Sequence, residues 1–143
     1  MMFNEILLGL VLLITSIGAK LYVDPENRVL RDEHGRQTIL HGFNAVYKIH
    51  PFIPGDGVFD SQNSLNEQDI DFLKTNGFNF IRLGVMWEAV ETAPGVYNQT
   101  YLDAVDSLIT KLGAAGIHTM VDAHQDVLAR VICGEGMPNF YAK

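Results

Sequence analysis

The side chains best suited to chemistry gather at the end of one apolar run, Thr119-Met120-Val121-Asp122-Ala123-His124-Gln125-Asp126. Residues alternate between faces along an extended strand, so Asp122, His124 and, if the strand runs that far, Asp126 point to one side. Carboxylates and an imidazole at the C-terminal end of a buried strand suggest the site of an α/β enzyme. The plainer reading is that they cap the strand and open a polar loop. Ligation is a third: Asp122-x-His124-x-Asp126 has the donors to hold zinc or a similar cation, although no second histidine pair with ligand spacing accompanies it.

A second charge stands where an apolar side chain is expected. The stretch from Phe78 to Trp87 reads as a strand apolar on both faces, as in a buried parallel sheet, and Arg82 interrupts it. Burying an unpaired guanidinium costs several kcal/mol, so Arg82 needs an acidic or hydrogen-bonding partner, either as a structural ion pair or as part of a site.

These residues require a scaffold of alternating elements. Leu40 to Val46 reads as a first strand, followed by a loop rich in Pro and Gly that carries Lys48 and His50. Ser64-Leu65-Asn66-Glu67 has capping-box spacing, Ile70 and Leu73 supply an apolar face, and Gly77 is placed to close a helix. After the Pro94-Gly95 turn, Leu102, Val105, Leu108, Ile109 and Leu112 recur at helical spacing up to Gly116. Strand, helix, strand, helix, strand at these spacings predicts parallel strands joined by crossovers. Ahead of them, Leu21-Tyr22-Val23, Arg28-Val29-Leu30 and Gln37-Thr38-Ile39 are short β-prone pieces separated by turn residues, which predicts small hairpins over residues 20–40 forming a lid over one end of the strand-and-helix body.

Composition narrows the function classes. Of the 143 residues 48% are apolar and 19% charged, enough for a globular core. A formal charge of -7 argues against nucleic acid or an anionic membrane as an electrostatically attracted partner and leaves neutral ligands open. Cys133 is the only cysteine, so no intrachain disulfide and no multi-cysteine zinc cage can form, and nothing around it resembles a cysteine-enzyme signature. Ile6 to Ile17 is a nearly unbroken apolar run, short for a membrane span of roughly 20 residues and suited to a secretory signal ending near Gly18 or Ala19. Residues 1–19 are therefore expected to be removed on secretion to an extracellular or lysosomal destination. The lack of Lys or Arg before the run keeps a retained anchor over residues 6–17 as the alternative. Asn98-Gln99-Thr100 is a glycosylation acceptor triplet that fits the secreted reading.

Several of these motifs together resemble a known group. Gly42-Phe43-Asn44, the run from Phe80 to Glu88, and Asp122-Ala123-His124-Gln125-Asp126 look like the first three strand ends of glycoside hydrolase family 5, the cellulase-type (β/α)8 barrels. Asn44-Ala45-Val46-Tyr47-Lys48, Pro94-Gly95-Val96-Tyr97 and Gly134-Glu135-Gly136-Met137-Pro138 narrow the resemblance to endoglycoceramidases, which release the oligosaccharide from the ceramide of a glycosphingolipid. The resemblance implies an α/β fold, a partial (β/α)8 barrel of about the first three βα units over residues 41–143, behind the hairpin segment. It implies no cofactor and a glycolipid or oligosaccharide substrate. Arg82 would hold the nucleophile carboxylate ionised, as an adjacent cation does. His124 would bond sugar hydroxyls or a catalytic carboxylate, Lys48 and Asp126 would bind the sugar, and Asn44 would orient other groups.

The departure from the family sets the main expectation. Retaining glycosidases use two carboxyl groups roughly 5–5.5 Å apart. In the family both glutamates follow later strands, the fourth and seventh, and Glu88, Glu91 and Glu135 do not match those places. A complete barrel takes roughly 250 residues. The expectation is a truncated product, inactive alone. A glycan-binding pseudoenzyme fragment and a β-glucan hydrolase remain as alternatives beside the metal-dependent hydrolase.

Overall fold

The computed structural model describes residues 20–142. The apolar run read as a signal or anchor lies in residues 1–19, outside the described residues, and among the described residues no helix is long and apolar enough to cross a membrane. The described part begins with an antiparallel hairpin, β1 (Tyr22–Asp24) on β2 (Val29–Arg31). The third β-prone piece contributes only an isolated bridge between Arg31 and Gln37, so one hairpin forms where the sequence suggested more. Its polar turn residues hold the chain by their own side chains: Asp24 binds Arg31 at 2.7 Å, and Asp32 binds Arg36 at 2.7 Å.

The body is a three-stranded parallel sheet, β3 (Gly42–Ala45), β4 (Phe80–Met86) and β7 (His118–His124), in that spatial order. Between β3 and β4 runs α1 (Glu67–Thr75). Between β4 and β7 come a single turn α2 (Trp87–Val90), a minimal hairpin β5 (Glu91–Ala93) with β6 (Val96–Tyr97), and the long helix α3 (Gln99–Ala114). These are the opening units of a (β/α)8 barrel. The third lacks its helix among the described residues: β7 is followed by irregular chain with 3-10 turns at Arg130–Ile132 and Asn139–Tyr141.

Alternation along β4 divides the molecule into two faces. Ile81, Leu83 and Val85 point toward the helices and are buried with Ile70 and Leu73 of α1, and with Val105, Leu108 and Leu112 of α3. Each such side chain stabilises the fold by about 1.5–3 kcal/mol through removal of apolar surface from water. Arg82 lies on the other face, the one that lines the interior of a closed barrel. At the amino ends of the strands the approach is close: a Cβ on Gly42 would lie 1.7 Å from the Phe80 carbonyl, which no side chain tolerates. Asn79 ties the same end, accepting from the His41 amide at 2.7 Å and donating to the Ile39 carbonyl at 2.9 Å. The segment after the hairpin thus enters the sheet at the end opposite Asp122 and His124.

Three local expectations shift. The cap of α1 is Asn66 and not Ser64: its side chain accepts from the amides of Gln68 and Asp69, and the Asp69 carboxylate returns a bond to the Asn66 amide at 2.9 Å. The box moves two residues because Ser64 is drawn off, its hydroxyl donating to Asp69 at 2.6 Å from outside the helix. The second strand ends at Met86, and Trp87 begins α2 instead of closing the strand. β7 ends at His124, so Asp126 is held by an isolated bridge to Glu135 and not by the strand ladder. Gly77 and Gly116 follow the helices with φ of 79° and 83°, left-handed geometry that Gly adopts without penalty.

The cap gives a direct stability test. Asn66→Ala removes both amide acceptor bonds and the donor to the Gly57 carbonyl, and is expected to cost about 1–2 kcal/mol. It should appear as a lower urea midpoint with an unchanged slope.

Candidate active site

Register explains how the charged residues meet. Asn44 pairs with Arg82 across β3 and β4, and Gly84 pairs with Asp122 across β4 and β7. Arg82 and Asp122 are thus offset by two residues along adjacent strands, both on the barrel-interior face, and Arg82 Nη2 reaches Asp122 Oδ2 at 2.7 Å. The ion pair that Arg82 required comes from the neighbouring strand. The same Asp122 oxygen lies 2.7 Å from Nδ1 of His124. A carboxylate paired with arginine only accepts, which assigns the Nδ1 hydrogen to the imidazole. His124 is 7% exposed. Its Nε2 stands 3.3 Å from Asp126 Oδ2 yet is buried with no hydrogen-bond partner among the described residues. In the neutral ring this atom is an acceptor facing another acceptor, and a donor placed between them would satisfy both.

The loop after β3 brings Lys48 to the same place. Its ammonium lies 2.7 Å from Asp126 and 2.5 Å from Glu135. These contacts raise the Lys48 pKa, Asp126 contributing first and Glu135 second. Lys48 in turn holds the Asp126 carboxyl below its ordinary range, chiefly through their hydrogen bond. Glu135 reaches the cluster because Gly136 allows the chain to fold back on β7: at φ 103° its Cα approaches the end of the strand, where a Cβ would lie 2.3 Å from the His124 carbonyl.

Arg82, Asp122, His124, Asp126 and Lys48 therefore converge as a set. Asn44 is exposed on β3 in register with Arg82, and its side chain joins none of the cluster's hydrogen bonds among the described residues. Asn98 lies away from the cluster as the cap of α3, its Oδ1 accepting from the Tyr101 amide at 3.2 Å. Cys133 is exposed, with a left-handed φ of 63°.

Several contributors have partners that no spacing in the sequence marks. Glu135 sits in a Gly-rich segment where its direction depends on backbone φ. Glu88 and Arg130, 42 residues apart, form a two-bond pair at 2.8 and 2.9 Å. Glu91 is 4% exposed and takes bonds from the Gly95 amide, the Trp87 indole and the Tyr141 hydroxyl, which together hold its carboxyl low, Gly95 first. Tyr101 could have been found, since it lies four residues before Val105 on the apolar face of α3. Its hydroxyl donates to the Phe52 carbonyl at 2.9 Å and accepts from the Met86 amide at 3.3 Å, a buried strut between the β3 loop and the end of β4.

His124, Asp126 and Glu135 offer ligand atoms within 4.8 Å of one another, the grouping that a metal reading would use in place of Asp122, His124 and Asp126. Asp122 is turned away to Arg82, and the Lys48 ammonium already lies between Asp126 and Glu135, where an added cation would meet its charge.

The Lys48 contacts set a pH window. A lowered Asp126 pKa contributes stability above the unfolded value, roughly 3.9, that is lost as pH falls through the folded value. A raised Lys48 pKa contributes below roughly 10.4 and is lost as pH rises through the folded value. Lys48→Met is expected to return the Asp126 titration upward toward that of an ordinary aspartate, read from its side-chain carboxyl resonance by NMR.

Known proteins match this chain over the same elements. An endoglycoceramidase of Hydra vulgaris is 38% identical over 118 residues, covering 82% of this chain and 23% of that protein. Endo-glycoceramidase II from Rhodococcus sp., in a complex with a five-membered iminocyclitol, matches with a TM-score of 0.63 and 34% identity over 78% of this chain and 25% of its own. The ganglioside GM3 complex of the same Rhodococcus enzyme matches with a TM-score of 0.63 and 30% identity, over 80% of this chain and 27% of its own. The chain thus spans about a quarter of the length of these relatives. Residues 32–141 match the family model described as cellulase (glycosyl hydrolase family 5), and the chain belongs to that family.

Proposed function

We infer that residues 41–142 form the sugar-facing wall of a retaining glycoside hydrolase that cuts the O-glycosidic bond between oligosaccharide and ceramide. The observation that carries this reading is the convergence of Lys48, Asp126, Glu135 and the unpartnered Nε2 of His124 at the ends of adjacent strands. A sugar hydroxyl both accepts and donates. It would accept from the Lys48 ammonium while donating to His124 Nε2 or to a carboxylate, which supplies the donor that the buried imidazole lacks. A relative whose structure contains ganglioside GM3 supports a glycolipid as the substrate class.

In this reading the two catalytic glutamates come from sequence beyond these 143 residues. The carboxylates at the strand ends are already committed: Asp122 to Arg82, Asp126 and Glu135 to Lys48, and Glu88 to Arg130. None is free to protonate a leaving oxygen or attack an anomeric carbon. Arg82 uses Nη2 on Asp122, and its other N–H groups, which take no partner among the described residues, would orient and keep ionised a nucleophile carboxylate. His124, Lys48 and Asp126 fix the sugar, with Asn44 completing the wall. Residues 1–19 act as a secretion signal. Asn98 carries a glycan at Nδ2, the atom its helix cap does not use.

The test is to present the 143-residue chain with a fluorescent ganglioside in detergent micelles, with a soluble β-glucan alongside, and to titrate lactose by NMR. The expected result is no release from either substrate, together with lactose-induced shifts at Lys48, His124 and Asp126 that vanish in Lys48→Met. Glycolipid cleavage that survives Arg82→Ala and His124→Ala would overturn the assignment. Shifts produced by β-glucan oligosaccharides but not by lactose would redirect it to a polysaccharide.

A further inference from the structure

Arg130 contacts none of the side chains proposed to meet a sugar, yet its guanidinium sits where the segments after β3, β4 and β7 cross. Nε and Nη2 donate to the two oxygens of Glu88 at 2.8 and 2.9 Å, and Nη2 also donates to the backbone carbonyl of Lys48 at 2.5 Å. The charge lies 5.6 Å from the centre of the Phe52 ring, which belongs to the β3 loop. Glu88 carries the connection onward to the β7 loop. Its Oε1 accepts from the Gly136 amide at 3.0 Å, and its own amide donates to the Gly136 carbonyl at 2.6 Å.

These bonds land on both sides of one contact. A single ion pair fixes the backbone of Lys48 on one side and the residue next to Glu135 on the other, and Lys48 and Glu135 are the two whose side chains meet. A lysine ammonium rides on a flexible four-carbon stem, so its position depends on where the stem is rooted and where its partners stand. A two-pronged arginine–carboxylate pair is the geometrically specific way to set both. The Glu88 side chain is 13% exposed and Arg130 37%, so the pair is partly removed from solvent screening.

We propose that Arg130, with Glu88, is a positioning residue that clamps the three loops so that the Lys48 ammonium is held between Asp126 and Glu135. It sets the affinity of the site for a hydroxylated ligand without touching that ligand. The identity of the ligand rests on the functional reading above; the clamp does not.

The experiment is an acetylation footprint of the full chain, read by mass spectrometry as the rate at each lysine. Lys74, which is exposed and has no ion-pair partner among the described residues, serves as the reference, and Lys111, paired with Asp56 at 2.5 Å, as a distant salt-bridge control. In the wild type Lys48 should label several-fold more slowly than Lys74. In Arg130→Lys, which keeps the charge and loses the fork, Lys48 should label at least threefold faster while Lys74 and Lys111 stay unchanged. A role confined to the local 3-10 turn would leave the Lys48 rate at its wild-type value, and that result overturns the proposal. If Lys111 also accelerates, the fold has opened, and Glu88→Gln, which keeps the side-chain shape, decides by the same readout. Repeating the footprint with lactose separates the two readings. If the variants expose Lys48 while lactose fails to protect it in the wild type, the clamp stands and the sugar assignment falls.

Discussion

A guanidinium on a strand whose opposite face is packed with helices must find an anion, and the sheet supplies one at a fixed offset. With β4 and β7 parallel, Asp122 lies two residues further along the register than Arg82, on the same face, and closes a 2.7 Å contact. Much of the cluster depends on that pair. The Asp122 oxygen that binds Arg82 also takes Nδ1 of His124, which sends Nε2 toward Asp126. The ring cannot turn over without abandoning the carboxylate. A single ion pair thus makes Nδ1 of the imidazole a donor and turns its other nitrogen toward Asp126.

Two kinds of force share the work of building the site. The strands are placed by apolar burial on the helix side, where Ile81, Leu83 and Leu112 are all but inaccessible to solvent. The loops beyond them bury Leu65, Ala89 and Ala129 and pack Phe52 and Ile53 on the core, and their tips are placed by charge and by aromatic hydroxyl or indole groups. Lys48 joins the β3 loop to the β7 loop, Arg130 joins both to Glu88, and Glu91 draws Trp87 and Tyr141 together across the small β5–β6 hairpin. Ion pairs of this exposure are individually weak and screened by salt. Their value is geometric: together they settle where three loops stand relative to one another.

Among the described residues β3 and β7 each pair on one side only, and Met120 and Val121 are exposed on opposite faces of β7. An unpaired parallel edge with apolar side chains is what adjacent strands of a larger barrel present when viewed apart from it. This agrees with the quarter of each relative's length that the chain spans. The interior face gathers the ionisable side chains Arg82, Asp122 and His124, while the helix face holds the apolar core.

What the sequence determined by itself is what depends on spacing within one element. Apolar periodicity placed α1 and α3 and their buried faces, the run around Arg82 announced a core strand with a charge that needed a partner, and alternation put Asp122 and His124 on one side of β7. The resemblance brought Lys48 to attention, although nothing local marks it, and gave a sugar-binding role to Asp126, which strand alternation had already marked. Tertiary structure decided everything that hangs on distance between elements. It chose Asp122 as the partner of Arg82, brought Glu135 back to Lys48 through a left-handed Gly136, paired Glu88 with Arg130 across 42 residues, and moved the α1 cap to Asn66 by giving Ser64 another partner. The reason is physical. Periodicity is written in neighbouring residues, whereas an ion pair or a loop's path depends on register and on backbone torsions that no local pattern encodes.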